Sequence, residues 1–315
     1  MSTGPQRPAR SETSVGTAYG FVAYLIWGAF PLYFNAIEPA GAWEVLAHRV
    51  LWTLLVCAII LSVRRRMGFV REVLHDRRRL AILTAASLLI AANWTIYVQA
   101  VISGHVTEAA LGYFLNPLVT VALGVILLKE RLRRMQWAAV GIGLLACIYL
   151  AIDFGKPPWI SLSLAFSFAG YGLMKKQIGG SLTALESLSF ETAVLAPIAA
   201  ALLVVLTISG DTTFTGYGNL HWFLLAASGV VTAIPLLLFA AAARRVPLVT
   251  IGLLQFLTPI LQLLCAVLLL GEQMTSARWV GFGIVWISLV LLATDSVLIA
   301  TRGRRLGRSA VGAAV

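Results

Sequence analysis

Four residues apart in one apolar stretch stand a carboxylate and an imidazole, Glu44 and His48, with the guanidinium of Arg49 directly after them. On a helix the first two share a face and can touch. If that helix starts near Trp43, Arg49 lies about 9 Å below its end, too deep for an ordinary loop charge. A second apolar stretch carries Glu186 and Glu191. Ionisable side chains inside a membrane span are expensive and mark an ion or substrate path unless they are structural. Three readings are open. Arg49 and Glu191 pair with each other; Arg49 holds an anionic substrate group while Glu191 carries a proton; or the charges snorkel or form a structural bridge. Glu44, Glu108 and Glu191 are the candidate carboxylates for proton coupling.

Uncharged polar residues follow helical spacing. Glu108, Gly112, Asn116, Thr120 and Gly124 recur every four residues beside Tyr113 and Pro117, along one slowly drifting face. Gln255, Thr258 and Gln262 make a similar face around Pro259. Each proline removes a backbone hydrogen bond, so both are expected to break their helices near mid-membrane. These faces either line a central cavity or glue helices together; the coincidence with two prolines favours the cavity. Asn93, Trp94, Tyr97 and Gln99 in one span, with Ser163, Ser167 and Tyr171 in another, extend the set of substrate contacts.

The elements that hold these residues are membrane helices. Only 12% of the residues are charged and 59% are hydrophobic, with mean hydropathy +0.89; a soluble domain has roughly 25% charged residues. Apolar spans fall at 17–37, 43–63, 80–102, 106–128, 136–152, 159–176, 183–208, 221–243, 247–270 and 278–299. Most approach the roughly 20 residues that cross a hydrocarbon core of about 30 Å. The first exceeds the roughly 7–15 apolar residues of a secretory signal, so it is read as a retained helix. A net charge of +11 could suggest nucleic acid, but all Lys and Arg except Arg49, Lys156 and Arg278 fall in segments on one side of a ten-span topology. That bias places both termini in the cytoplasm and leaves no nucleic-acid partner to infer. Trp43, Trp137, Trp159, Trp222 and Trp279 each open a span, as interfacial anchors do. Cys57, Cys147 and Cys265 stand singly in apolar runs and read as packing.

The chain also repeats itself. At an offset of 142, Phe114 pairs with Phe256, Pro117 with Pro259, Glu130 with Glu272, Trp137 with Trp279 and Gly141 with Gly283. The same offset carries Glu44 onto Glu186 and Arg49 onto Glu191. One unit used twice is the physical meaning of such a period. With five spans per copy, the second copy enters from the opposite side, which gives an inverted repeat. The expected organisation is a polar cytoplasmic arm at 1–15, a first five-helix repeat at 16–155, a second at 156–300 and a basic tail at 301–315. Gly141, Gly143, Gly281 and Gly283 suit close helix approach, either between the halves or in a dimer; the oligomeric state stays open.

The runs YLIWGAFP (Tyr24–Pro31), EVLAHRVLW (Glu44–Trp52), EAALGYFLNPLV (Glu108–Val119), ERLRRMQW (Glu130–Trp137), LAFSFAGYG (Leu164–Gly172), IPLL (Ile234–Leu237) and LLQFLTP (Leu253–Pro259), with Asn93–Trp94, resemble RarD-type permeases. These form part of the EamA-like branch of the drug/metabolite transporter superfamily. The resemblance implies a bacterial inner-membrane permease with ten helices, two inverted repeats and a central cavity. It supplies no catalytic residue.

Other classes lack their chemistry. No GxxxxGK[ST] serves a nucleotide-driven pump and no HExxH a zinc protease. Asp76, Asp153, Asp211 and Asp295 are too scattered for a magnesium diphosphate site. The reading is an all-α polytopic protein, a secondary transporter without cofactor or metal. It exports a small polar or amphipathic solute by alternating access through the bilayer, with protons as the candidate coupling ion. An importer or facilitator is the nearest alternative; a membrane-embedded enzyme is the alternative from a different class.

Overall fold

The computed structural model describes residues 12–129, 132–153, 157–178, 181–243, 245 and 254–312, with backbone alone at 296–312. Among them every regular element is a helix. In hydrocarbon the backbone must satisfy its own polar groups, and a helix does so within one segment. The chain forms α1 (Glu12–Gly28), α2 (Phe30–Ala36), α3 (Ala42–Val63), α4 (Phe69–His75), α5 (Arg77–Ile102) and α6 (Val106–Leu128). It continues with α7 (Arg134–Asp153), α8 (Trp159–Ile178), α9 (Ala184–Ser209), α10 (Asn219–Ala243), α11 (Leu257–Leu264) and α12 (Ser276–Gly312). A π-helical turn, Cys265–Leu269, extends α11.

Six of these helices are long and apolar enough to cross a bilayer: α3, α5, α7, α9, α10 and the first part of α12. Counting α1 and α2 as one bent span makes seven. The protein is therefore a multi-pass membrane protein. Helix occupies all ten intervals expected to be apolar, the ninth from Leu254 onward, because 246–253 lie outside the described residues. Glu130, which the repeat pairs with Glu272, and the arm at 1–11 also lie outside them.

The helix breaks match the two expected prolines only in part. The first interval bends by 40° between α1 and α2, where Pro31 sits in the first turn of α2. Pro31 has no amide to give the Trp27 carbonyl. The Leu32 amide turns to Ala29 O (3.1 Å) rather than Gly28 O. By contrast α6 runs unbroken through Pro117. One lost bond is tolerated inside a packed membrane helix. Pro259 lies in the first turn of α11, just after a turn at Phe256.

Packing joins the two halves of the chain throughout. α3 packs on α9 and α10, α5 on α8 and α9, α6 on α8 and α11, α7 on α12, and α1 on α10 and α11. Gly229 allows the closest of these crossings. A Cβ there would fall on the Trp52 carbonyl carbon and the Thr53 amide of α3, and the Gly229 carbonyl accepts from Thr53 Oγ1 at 3.3 Å. Leu150 of α7 meets Gly281 of α12, so this small-residue contact joins the two halves of one chain. The five tryptophans that open spans are all exposed, which suits residues at the edge of a lipid belt.

Candidate functional site

At the centre of the bundle lies Arg49, 3% exposed. Three rings enclose its guanidinium: Trp94 with its centroid 4.3 Å away, Phe34 at 5.2 Å and Phe30 at 5.8 Å. Its Nε donates to Thr232 Oγ1 at 3.1 Å, a bond from α3 to α10. Nη1 is buried without a hydrogen-bond partner. Among the described residues no carboxylate forms an ion pair with Arg49. A desolvated cation–π contact contributes about 2 kcal/mol, and a charged hydrogen bond about 1.5–3 kcal/mol. Burying an ion costs several kcal/mol and becomes tolerable mainly when an opposite charge and further hydrogen bonds complete the site. Arg49 is thus a buried cation with part of its shell missing.

Two further polar atoms are orphaned beside it. Tyr97 Oη and Gln262 Oε1 are buried without partners. Tyr97, from α5, packs against Phe34 at 5.9 Å and Tyr113 at 5.6 Å between centroids. Tyr113, from α6, donates to Asn93 Oδ1 at 3.3 Å. Asn93 in turn donates to Ser167 Oγ (3.0 Å) and Leu164 O (3.1 Å) on α8. Trp94 thus packs directly on Arg49, and Tyr97, Tyr113 and Asn93 connect to it in turn through the Phe34 ring.

The polar face of α11 plays a double part. Thr258 donates to Tyr24 O at 2.9 Å, and Gln262 Nε2 donates to Trp27 O at 3.2 Å. Gln262 thereby satisfies the carbonyl that Pro31 leaves without an amide. This is the gluing role for Thr258, and for one end of Gln262. Gln255 is half-buried at the preceding turn. Asn116 is buried on α6 and accepts from Thr120 at 3.4 Å. Glu108 is buried in the first turn of α6, where its backbone carbonyl accepts from Ser161 at 2.6 Å.

The acidic residues stand apart from Arg49, and the direct Arg49–Glu191 pair considered from the sequence does not form. Glu191 binds Lys175 at 2.6 Å and also accepts from Ser187 (2.8 Å) and Tyr171 (3.1 Å). Lys175 bonds Ser187 as well. Pseudo-symmetry matched the depths of Arg49 and Glu191, but Lys175 on the neighbouring helix takes the carboxylate first. Lys175 was counted as a loop charge, whereas it lies within α8. Glu186 closes a capping box with Thr183 at the start of α9, a structural task.

Glu44 lies near the start of α3, where it ties down the α9–α10 loop. It accepts from the Thr213 amide (2.7 Å), the Thr213 hydroxyl (2.8 Å) and the Phe214 amide (3.1 Å). With its one proton given to Glu44, Thr213 must accept from His221 Nε2, 2.8 Å away. His48 stacks on Phe214 at 4.5 Å and receives the Trp52 indole N–H on Nδ1 at 3.2 Å. Its Nε2 is 4.0 Å from Glu44.

Sequence reasoning missed Thr232, Thr213, His221, Phe30, Phe34 and Lys175. The last had a signal, since Ser163, Ser167, Tyr171 and Lys175 continue one series at spacings of four. Glu272 was recognised only as a repeat marker. Its carboxylate caps α6 through the Val106 and Thr107 amides, the second at 2.9 Å. No group of three or more His, Cys, Asp or Glu side chains placed to hold a metal ion occurs among the described residues.

Comparison with known proteins matches the EamA-like transporter family to residues 14–152 and again to 158–294. The chain is 49% identical to the protein RarD of Streptomyces exfoliatus over 94% of its own length and 93% of that relative. It is 42% identical to an uncharacterized transporter of Pseudomonas aeruginosa, over 89% of this chain and 94% of the relative. A solved crystal structure superposes with a TM-score of 0.59 at 18% identity, covering 90% of this chain and 98% of the other. That likeness concerns the fold alone.

Proposed function

The chain belongs to the EamA-like transporter family as a RarD-type permease, and on that premise we propose that it is a secondary transporter working by alternating access. Its cargo is a small polar or amphipathic solute, its direction export, and its site the space around Arg49. It crosses a bacterial inner membrane ten times as two inverted repeats, 16–155 and 156–300, with both termini cytoplasmic. No catalytic role is assigned to any residue, and protons are the proposed coupling ion.

The observation that carries this reading is the behaviour of the helix contacts when the halves are exchanged. In chain order, the α1–α2 pair corresponds to α8, α3 to α9, α5 to α10, α6 to α11 and α7 to α12. Under that exchange α1–α10 becomes α8–α5, α1–α11 becomes α8–α6, and α3–α10 becomes α9–α5. All six contacts are present. The contacts α3–α9, α6–α11 and α7–α12 exchange into themselves and are also present. A pseudo-two-fold relation would account for these nine contacts, and with five crossings per half it would be an inverted one. The family match to each half in turn supports the same division. Arg49 and Thr232 belong to opposite halves, so rocking the halves would open their junction alternately to each side.

The test is transport into reconstituted vesicles under an imposed pH gradient, screening pools of amino acids, other metabolites and amphipathic drugs. Movement driven by the gradient supports a proton-coupled carrier. Movement only down the solute's own gradient makes the protein a facilitator, and no movement of any pool contradicts the reading.

A further inference from the structure

Arg49 is the buried group whose surroundings explain it least. Rings cover the faces of the guanidinium, Thr232 takes Nε, and Nη1 points at nothing. Tyr97, which packs on the same Phe34 ring as Arg49, also leaves its hydroxyl without a hydrogen bond. Two buried donors on facing helices, α3 and α5, thus lack an acceptor. Buried polar groups in native proteins are almost always paired, so an orphaned set needs a reason. The protein has carboxylates to spare, yet spends them elsewhere. Glu191 is held by Lys175, Ser187 and Tyr171, Glu44 by the Thr213–Phe214 loop and Glu186 by a helix cap.

We infer that the solute carries a carboxylate, and that this carboxylate completes the shell of Arg49 by accepting from Nη1 and from the Tyr97 hydroxyl. The inference rests on the transporter reading of the same site and names its substrate class. Guanidinium and carboxylate match in shape, and the charge-assisted hydrogen bonds between them are the strong ones. Charge balance selects a monoanion. Arg49 is the single cation in this constellation, and a phosphate dianion would leave one negative charge buried without a partner. The rings of Trp94, Phe34 and Phe30 around Arg49 give the pair an apolar setting that strengthens it.

The experiment uses the purified full-length protein in detergent, with binding read by tryptophan fluorescence and by thermal shift. The probes are benzoate, phenylacetate, hexanoate and decanoate, each against its uncharged amide, with phenyl phosphate as the dianion. At least one acid is expected to bind roughly tenfold or more tightly than its amide, and more tightly than the phosphate. Arg49→Gln should erase that preference, while Arg49→Lys keeps part of it. Equal binding of acid and amide in all four pairs, or a preference that survives Arg49→Gln, would overturn the inference. If Arg49→Gln does not fold, Tyr97→Phe decides. A several-fold loss for the acid with the amide unchanged supports the proposal, and an unchanged acid overturns it. Vesicle transport is scored separately. An acid bound through Arg49 but never moved removes the transport reading and leaves this one standing. Acids and amides moved equally well do the reverse.

Discussion

Lys175 reaches Glu191 from near the end of α8, at 2.6 Å, and Ser187 and Tyr171 complete the shell of the carboxylate. Removing one member of a buried pair leaves its partner uncompensated, whereas removing both is far milder. The Lys175 side chain is 32% exposed, so solvent screening trims the effect. Lys175→Met is expected to destabilise the protein by about 1–3 kcal/mol, and Lys175→Met with Glu191→Gln by clearly less. Thermal denaturation of these two variants and of Glu191→Gln alone checks this; additive losses would contradict it. On the proposal of proton coupling, Glu191→Gln is expected to abolish the pH dependence of transport, with rates compared per mole of folded protein. Persistent proton dependence removes that role.

Among the elements, the bend between α1 and α2 and the polar face of α11 form one device. Pro31 strips an amide from the Trp27 carbonyl, and Gln262 supplies a replacement at 3.2 Å. The Gly28 carbonyl, also released at the bend, faces the Cys265 thiol at 3.8 Å. Gln262→Leu should cost about 1–3 kcal/mol by leaving that carbonyl buried and unmet. In a Pro31→Ala background the loss should shrink, because the restored backbone amide can donate within the helix. An equal loss in both backgrounds would break the link. Gly229 makes a second prediction of this kind. Gly229→Ala drives a methyl into the α3 backbone, so it should cost about 1–3 kcal/mol through a forced shift of α10. A change below about 0.5 kcal/mol in thermal unfolding would show that the crossing has slack.

How far the site could be read from sequence follows from what each residue depends on. Arg49, Asn93, Trp94, Tyr97 and Tyr113 announce themselves because polarity or aromaticity inside an apolar span is a local property. Their candidacy was therefore legible. Partners were not. Whether Glu191 reaches Arg49 or Lys175 depends on the rotation of α8 against α9, which no spacing encodes. Thr232 is an ordinary hydroxyl in an apolar helix until Arg49 is seen opposite it. Proline positions were equally ambiguous, since Pro31 marks a bend and Pro117 does not, though each lies in an apolar span. The outcome depends on whether neighbouring helices leave room for the bend. The tryptophans and the 142-residue period point to the elements far more directly than to their contacts.

For the molecule as a whole, most helix contacts join the two halves of the chain, and under the proposed mechanism those halves shift about a shared centre. Arg49 and Thr232 meet at that centre from α3 and α10. The α9–α10 loop is fastened to α3 through Glu44 at one end of the bundle. With both termini cytoplasmic, as proposed, that fastening would lie outside and the Lys175–Glu191 cluster toward the cytoplasm, so opening one side should release one of them. The most direct measurement of alternating access is counterflow in reconstituted vesicles, using a solute that the transport screen has identified. Unlabelled solute loaded inside should transiently drive labelled solute inward above its equilibrium level, because a single site returns loaded faster than empty. Labelled uptake indifferent to the internal solute would mean a continuous pore, and the alternating-access account would be wrong.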